Sequence, residues 1–296
     1  MPLGIRPTVD FAFKKIFGSP SNSAALIGLL NAILKLEHPI EKVDILNPFS
    51  YQEFADNKLV VLDVRCQDAA GRWLNVEMQV SSFPGLIERL VYYACSMYVD
   101  QLASGDGYLH ATPAISICLL SHQLFPDSSQ AHHRFTMIDE ASGRRIDKGV
   151  EVHTVELTKY NLDKAVIREA SALEQWAFLL LYAQEFEAAE LQELLPGIAF
   201  KSAIDALQTI SAKTKDKSMY DQREKAQRDF KWAISGAREE GREEGREEGE
   251  LVGKVQLLEE LLGKDQTDGA ELIAAGKVAL AARLEDLQQQ LRDRDA

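Results

Sequence analysis

Apolar positions along the chain change their spacing several times, and each change marks an expected element. Residues 10–17 place Phe11, Phe13, Ile16 and Phe17 around Lys14 and Lys15, the pattern of a short helix that Gly18-Ser19-Pro20 breaks. Leu26, Leu29, Leu30, Ile33 and Leu34 then recur at three- and four-residue intervals, which predicts a helix over residues 22–36. Next the spacing shortens to two. Residues 43–46, 59–66 and 73–80 read as strands, and Asp68-Ala69-Ala70-Gly71-Arg72 is a turn that should join the last two as a hairpin. A long helix is expected over residues 83–104, carrying Leu86, Leu90, Tyr93, Met97 and Leu102 and ended by Gly105-Asp106-Gly107. The unbroken apolar run 114–120 predicts a strand buried on both faces. Residues 135–138 and 150–157 are further strands around the turn Ala141-Ser142-Gly143, and from residue 163 onward the pattern is helical, over 165–185, 187–195, 200–210 and 221–235.

Residues 238–249 are three consecutive copies of Arg-Glu-Glu-Gly. Arg242 and Arg246 each follow a Glu by three residues, which supports a helix by a few tenths of a kcal/mol per pair, about 0.2–0.5. Each Gly costs up to about 1 kcal/mol in a helix interior. These nearly cancel, so the repeat should be a marginal helix or a fraying linker. Beyond it, Leu280, Leu284, Leu287 and Leu291 form the seam of a short coiled coil or helical hairpin, which would make the chain a homo-oligomer through its C-terminal helices. The expected division is a domain over 1–235 (core 8–160, helical part 163–235), a linker over 236–250 and a helical tail over 251–296.

Composition narrows the function classes. Three cysteines at long spacings, Cys66, Cys95 and Cys118, suit neither a disulfide framework nor a zinc knuckle. Cys95, on an apolar helix, reads as a core thiol. The first residues show no apolar signal segment, and no run approaches the roughly 20 residues of a membrane span. A cytoplasmic protein without a membrane segment is therefore expected. The net charge of −13 disfavours indiscriminate binding to phosphate backbones. Residues 236–296 hold 16 acidic and 9 basic residues, so the body carries only about half of that excess and leaves room for a local basic groove.

Chemistry enters at the hairpin. On 73–80, Leu74, Val76, Met78 and Val80 cover one face, while Trp73, Asn75, Glu77 and Gln79 share the other. With Ala70 as the centre of the turn, Asp63 stands directly opposite Glu77. Like charges at such a position destabilise a sheet, and a carboxylate among Leu59 and Val61 is costly. A divalent cation between the two would relieve both penalties, and a hard ion such as Mg²⁺ or Mn²⁺ suits carboxylates and water. Gln79 lies two residues on, able to orient a water or hydrogen-bond a phosphate but not to act as a base. Pairing with Arg65, Arg72 or Arg89 on an exposed face explains the same residues without a metal. The adjacent His132 and His133 would point to opposite faces of a strand. There is no H-E-x-x-H, G-x-S-x-G or P-loop signature.

Taken in order, Asp10-Phe11-Ala12-Phe13-Lys14-Lys15-Ile16-Phe17-Gly18, Leu62-Asp63-Val64, Asn75-Val76-Glu77-Met78-Gln79, Arg89 with Tyr92-Tyr93, and Val155-Glu156-Leu157-Thr158-Lys159 resemble the Rpn family of recombination-promoting nucleases and transposases, within the PD-(D/E)XK nuclease superfamily. The resemblance spans roughly residues 7–235. It implies an α/β, restriction-endonuclease-like mixed sheet flanked by helices, with the helical C-terminal extension appended. It implies a metal-dependent DNA endonuclease acting on double-stranded DNA in recombination or mobile elements, with Mg²⁺ (or Mn²⁺ or Ca²⁺) held by Asp63 and Glu77. Gln79 stands where the superfamily motif has lysine. Asp10 is the candidate for an additional acidic residue from an early helix, a position that a helix-capping role explains equally well. Lys14 would approach phosphate or remain a solvated surface charge. The competing reading is a non-catalytic or catalytically weak nuclease-like fold reduced to DNA binding or partner docking and assembled through its helical tail.

Overall fold

The hairpin is built as its alternation requires. In the computed structural model, which describes residues 1–50, 63–82, 84–103 and 105–294, β2 (Asp63–Asp68) and β3 (Trp73–Gln79) pair antiparallel with Asp63 opposite Glu77 and Val64 opposite Val76. The turn is held by the Asp68 carboxylate, whose Oδ1 accepts from Ala70 N and Arg72 N at 2.9 Å and whose Oδ2 accepts from Arg72 Nε at 2.6 Å. Residues 59–62 of the predicted strand lie outside the described residues, as do Phe83 and Ser104 at the ends of the predicted helix.

Four more strands, β1 (Val43–Ile45), β4 (Ala114–Leu120), β5 (His132–Thr136) and β6 (Val150–Glu156), complete a sheet in the order β1-β2-β3-β4-β6-β5. β3, β4 and β6 run parallel, and the other neighbours run antiparallel. β4 is buried along its whole length, as a central strand covered on both faces must be. On one face Leu74, Val76, Met78, Ile115, Ile117 and Leu119 pack against α1 (Asp10–Phe17), α2 (Ser23–Leu34) and helices from the later part of the chain. On the other face α3 (Leu86–Val99) sets Leu86, Leu90 and Ala94 on Cys118, Leu120 and Val152.

The spacing predicts β5 over 135–138, and the strand sits earlier. An edge strand tolerates polar residues, so His132, His133 and Arg134 pair with β6, while Ile138 makes only an isolated bridge to Arg145. The first helix after the sheet also starts later than residue 165. Residues Ile167–Glu169 form a 3₁₀ turn, and α4 (Ala172–Tyr182) begins at the capping box of Ser171 and Glu174. It is followed by α5 (Ala188–Leu194) and α6 (Ile198–Ala212).

The chain divides into two compact units, Met1–Gln227 and Arg228–Ala296. α7 (Thr214–Leu261) is one unbroken helix, so the Arg-Glu-Glu-Gly repeat takes the helical alternative, with Arg242–Glu239 at 2.6 Å and Arg246–Glu243 at 2.7 Å as expected neighbours. In the second unit α7 continues into α8 (Gly269–Ala275) and α9 (Lys277–Arg294). Leu280 and Leu287 are buried there with Val252, Val255 and Leu272, so the leucine seam packs within its own chain as a helical hairpin. A Cβ at Gly241, Gly245 or Gly249 would meet nothing within 4 Å. Replacing these three by alanine should therefore stabilise the helix by about 0.5–1 kcal/mol each. Helical ellipticity and its melting midpoint read this out; a fall in either would show that the glycines serve a purpose other than spacing.

Candidate active site

β3 carries the site because its two faces do different work. Leu74, Val76 and Met78 enter the apolar core, and the alternate residues Asn75 and Glu77 are each 1% exposed beneath α3. A carboxylate at that depth is costly without partners. Glu77 Oε2 accepts from Gln79 Nε2 at 3.2 Å and from Arg89 Nη2 at 3.3 Å. Arg89 comes from the first turns of α3, which Leu86 and Leu90 press onto the sheet. Its guanidinium also lies 5.8 Å from the Tyr93 ring centre. The register places Asp63 directly across from Glu77 and Cys118 beside it on β4. Burial first, and then the Glu77 carboxylate, push the Cys118 thiol well above its usual range, with Arg89 opposing. Cys66 is pushed up to about 12, by burial and then by Asp68. Neither thiol is a nucleophile. Cys95, expected in the core, is exposed on α3.

Several buried polar atoms lie on the same sheet face. Among the described residues, Asn75 Oδ1 and Nδ2, Ser116 Oγ and Thr154 Oγ1 find no hydrogen-bond partner. Asn75 pairs in register with Ser116, and Cys118 stands between Glu77 and Thr154. Dry burial of such groups costs about 1–3 kcal/mol each. An interior of this composition suits a polar occupant and water, and its donors are hard oxygens, as Mg²⁺ prefers. Among the described residues, no group of three or more His, Cys, Asp or Glu is arranged to hold a metal. The Glu77 carboxylate and the unpartnered Asn75 and Ser116 oxygens are the kind of hard donors such an ion takes together with water. Asn75 is visible in the strand alternation. Ser116 and Thr154 are not, since Ser116 hides in an apolar run.

Asp10 is placed elsewhere. Its Oδ1 accepts from Phe11 N at 2.7 Å and its Oδ2 from Arg223 Nε at 2.6 Å, and it bonds to neither Glu77 nor Gln79. This ties the start of α7 to α1. Lys14 is 3% exposed and is not a solvated surface charge. His132 and His133 do face opposite ways: His132 Nε2 meets His153 Nδ1 at 2.9 Å, and His133 Nε2 lies 3.7 Å from Glu156 Oε1. Glu156, fully buried, accepts from Leu124 N at 2.9 Å and pairs with Lys159 Nζ at 3.0 Å. Lys159 also donates to Phe125 O at 2.7 Å. Together they fasten the segment after β4, whose Ser121 N donates to Gln79 O at 3.1 Å, beside the site.

A mixed sheet covered by helices on both faces, with acidic residues paired across its second and third strands, defines a nuclease-like α/β fold. The chain belongs to the PD-(D/E)XK nuclease family transposases, whose family profile matches residues 7–237. Comparisons with curated proteins and with solved structures return no match. Among the described residues no helix is long and apolar enough to cross a membrane.

Proposed function

We propose that this protein is a metal-dependent endonuclease that hydrolyses phosphodiester bonds of double-stranded DNA during recombination or the movement of mobile elements. The observation that carries this reading is the buried Glu77 carboxylate, in register with Asp63 and hydrogen-bonded by Gln79. Asp63 and Glu77 would hold Mg²⁺, Mn²⁺ or Ca²⁺. When bound, such an ion polarises a phosphodiester oxygen and lowers the pKa of a coordinated water. Gln79 orients the attacking water or a phosphate oxygen through its amide; it takes no proton at neutral pH. The buried polar row of Asn75, Ser116 and Thr154 holds water near the carboxylates. Asp10 is assigned to fastening α7 rather than to the ion. Residues 1–235 carry this activity, with the repeat over 236–250 and the helices over 251–296 as accessories.

Plasmid relaxation tests the reading. Supercoiled DNA incubated with the full chain and Mg²⁺, Mn²⁺ or Ca²⁺ should be nicked or linearised with at least one of them, and EDTA should stop the reaction. Asp63→Ala and Glu77→Ala proteins of equal folded stability should be inactive. Cleavage that survives both substitutions would falsify the site, and no cleavage with any of the three ions would favour the non-catalytic DNA-binding reading.

A further inference from the structure

Resting on that nuclease reading, we infer that Arg89 is the phosphate-binding residue of the site, held by Glu77 until a divalent cation displaces it. Two carboxylates and an incoming phosphodiester are all anionic, and Gln79 is neutral. The structure sets the Arg89 cation against Glu77. Its side chain is 31% exposed whereas that of Glu77 is 1% exposed, so Arg89 lies between the buried carboxylate and solvent. A phosphate approaching Glu77 from solvent meets it first.

The contact between Arg89 and Glu77 is a long one. Nη2 of Arg89 reaches Glu77 Oε2 at 3.3 Å. Elsewhere in the same sheet, Arg134 grips Glu151 with two bonds of 2.9 Å, and Arg72 holds Asp68 at 2.6 Å. Those are the short or two-pronged geometries of strong pairs. The backbone of Arg89 is meanwhile anchored, because Leu86 and Leu90 on either side of it are buried against the sheet. Motion is thus confined to a side chain pivoting on a fixed turn.

Competition follows from charge. A cation at Glu77 and the Arg89 guanidinium repel each other and want the same oxygen. Displaced, the planar fork of Arg89 can bind two phosphate oxygens, which its geometry matches. Arg89 therefore weakens metal binding while DNA is absent, and DNA, by engaging Arg89, removes that penalty. By linkage the metal must then strengthen DNA binding by the same factor.

The test is Mn²⁺ binding to the full chain, measured by calorimetry at mildly alkaline pH without DNA, for the parent, Arg89→Met, Arg89→Lys and Glu77→Gln. Arg89→Met should bind Mn²⁺ about tenfold more tightly than the parent, equivalent to about 1.4 kcal/mol, and Arg89→Lys should stay near the parent. Single-turnover cleavage by Arg89→Met should nevertheless fall about 10²-fold, with partial rescue in Arg89→Lys. Removing an arginine that only pairs with Glu77 would also tighten Mn²⁺ binding, but cleavage at saturating Mn²⁺ would then be undiminished, and that outcome overturns the phosphate role. Equal or weaker Mn²⁺ binding by Arg89→Met, with Glu77→Gln still abolishing it, overturns the Arg89 assignment alone. Absence of Mn²⁺ binding in the parent, or binding unaffected by Glu77→Gln, overturns the metal-site reading and this inference with it.

Discussion

A Glu77→Gln protein is expected to melt at or above the temperature of the parent while cleaving DNA at least about 10²-fold more slowly. Both effects come from one carboxylate. Glu77 is 1% exposed, stands opposite Asp63 in the hairpin, and meets Arg89 at a long 3.3 Å and Gln79 at 3.2 Å. Glutamine keeps the shape and the hydrogen-bonding capacity but removes the buried charge, while the partly exposed Arg89 can be solvated instead. Stability surrendered to a charged site in this way is the usual mark of function. Circular dichroism melts, paired with cleavage under single-turnover conditions, read both quantities. A melting temperature lowered by more than about 4 °C, equivalent to about 1 kcal/mol or more in a domain of this size, would make Glu77 a structural group.

The largest stability loss is expected on the opposite face of the sheet. Trp176 on α4 is 1% exposed, with its ring centre 4.5 Å from that of Phe200 and 5.7 Å from that of Phe17. It joins three helices at one point. Gly28 on α2 makes room for it: a Cβ there would come within 3.2 Å of Trp176 Cζ2 and within 2.4 Å of Ala199 Cβ. Trp176→Ala removes the filler from a closely packed joint and should cost about 3–5 kcal/mol. That is a large share of the roughly 5–15 kcal/mol that holds a typical domain together. Urea unfolding of the parent and variant measures it. A loss under about 1 kcal/mol would mean that the three helices close over the gap.

Much of the site is legible in the amino-acid sequence. The alternation on 73–80 and the turn chemistry of Asp68 through Arg72 together specify the hairpin register, and so the pairing of Asp63 with Glu77. Both signals act over a few residues, which is why they show in the linear chain. The helices over 10–17 and 23–34, the buried strand 114–120 and the helical tail are readable for the same reason. Strand β5 is misplaced by its periodicity because its position at the sheet edge, the feature that admits His132 and Arg134, is not a local property.

Burial, and partnership between distant elements, come from packing. Asp10 reads as available to a metal, but Arg223, more than two hundred residues away in sequence, holds it. Lys14 reads equally well as a surface charge and is buried. The leucines at 280 and 287 have the spacing to meet a second chain, yet they pack on Val252 and Val255 of their own. Arg89 is one of several arginines able to meet Glu77, until the seating of α3 on β4 and β6 chooses it. Short-range periodicity and turn geometry are thus enough to set most of the helices and strands, the hairpin register and the pairing of the two acidic positions. Which charges are desolvated, and which partner each one finds, is settled only when helices from remote parts of the chain bury their apolar faces on a common sheet.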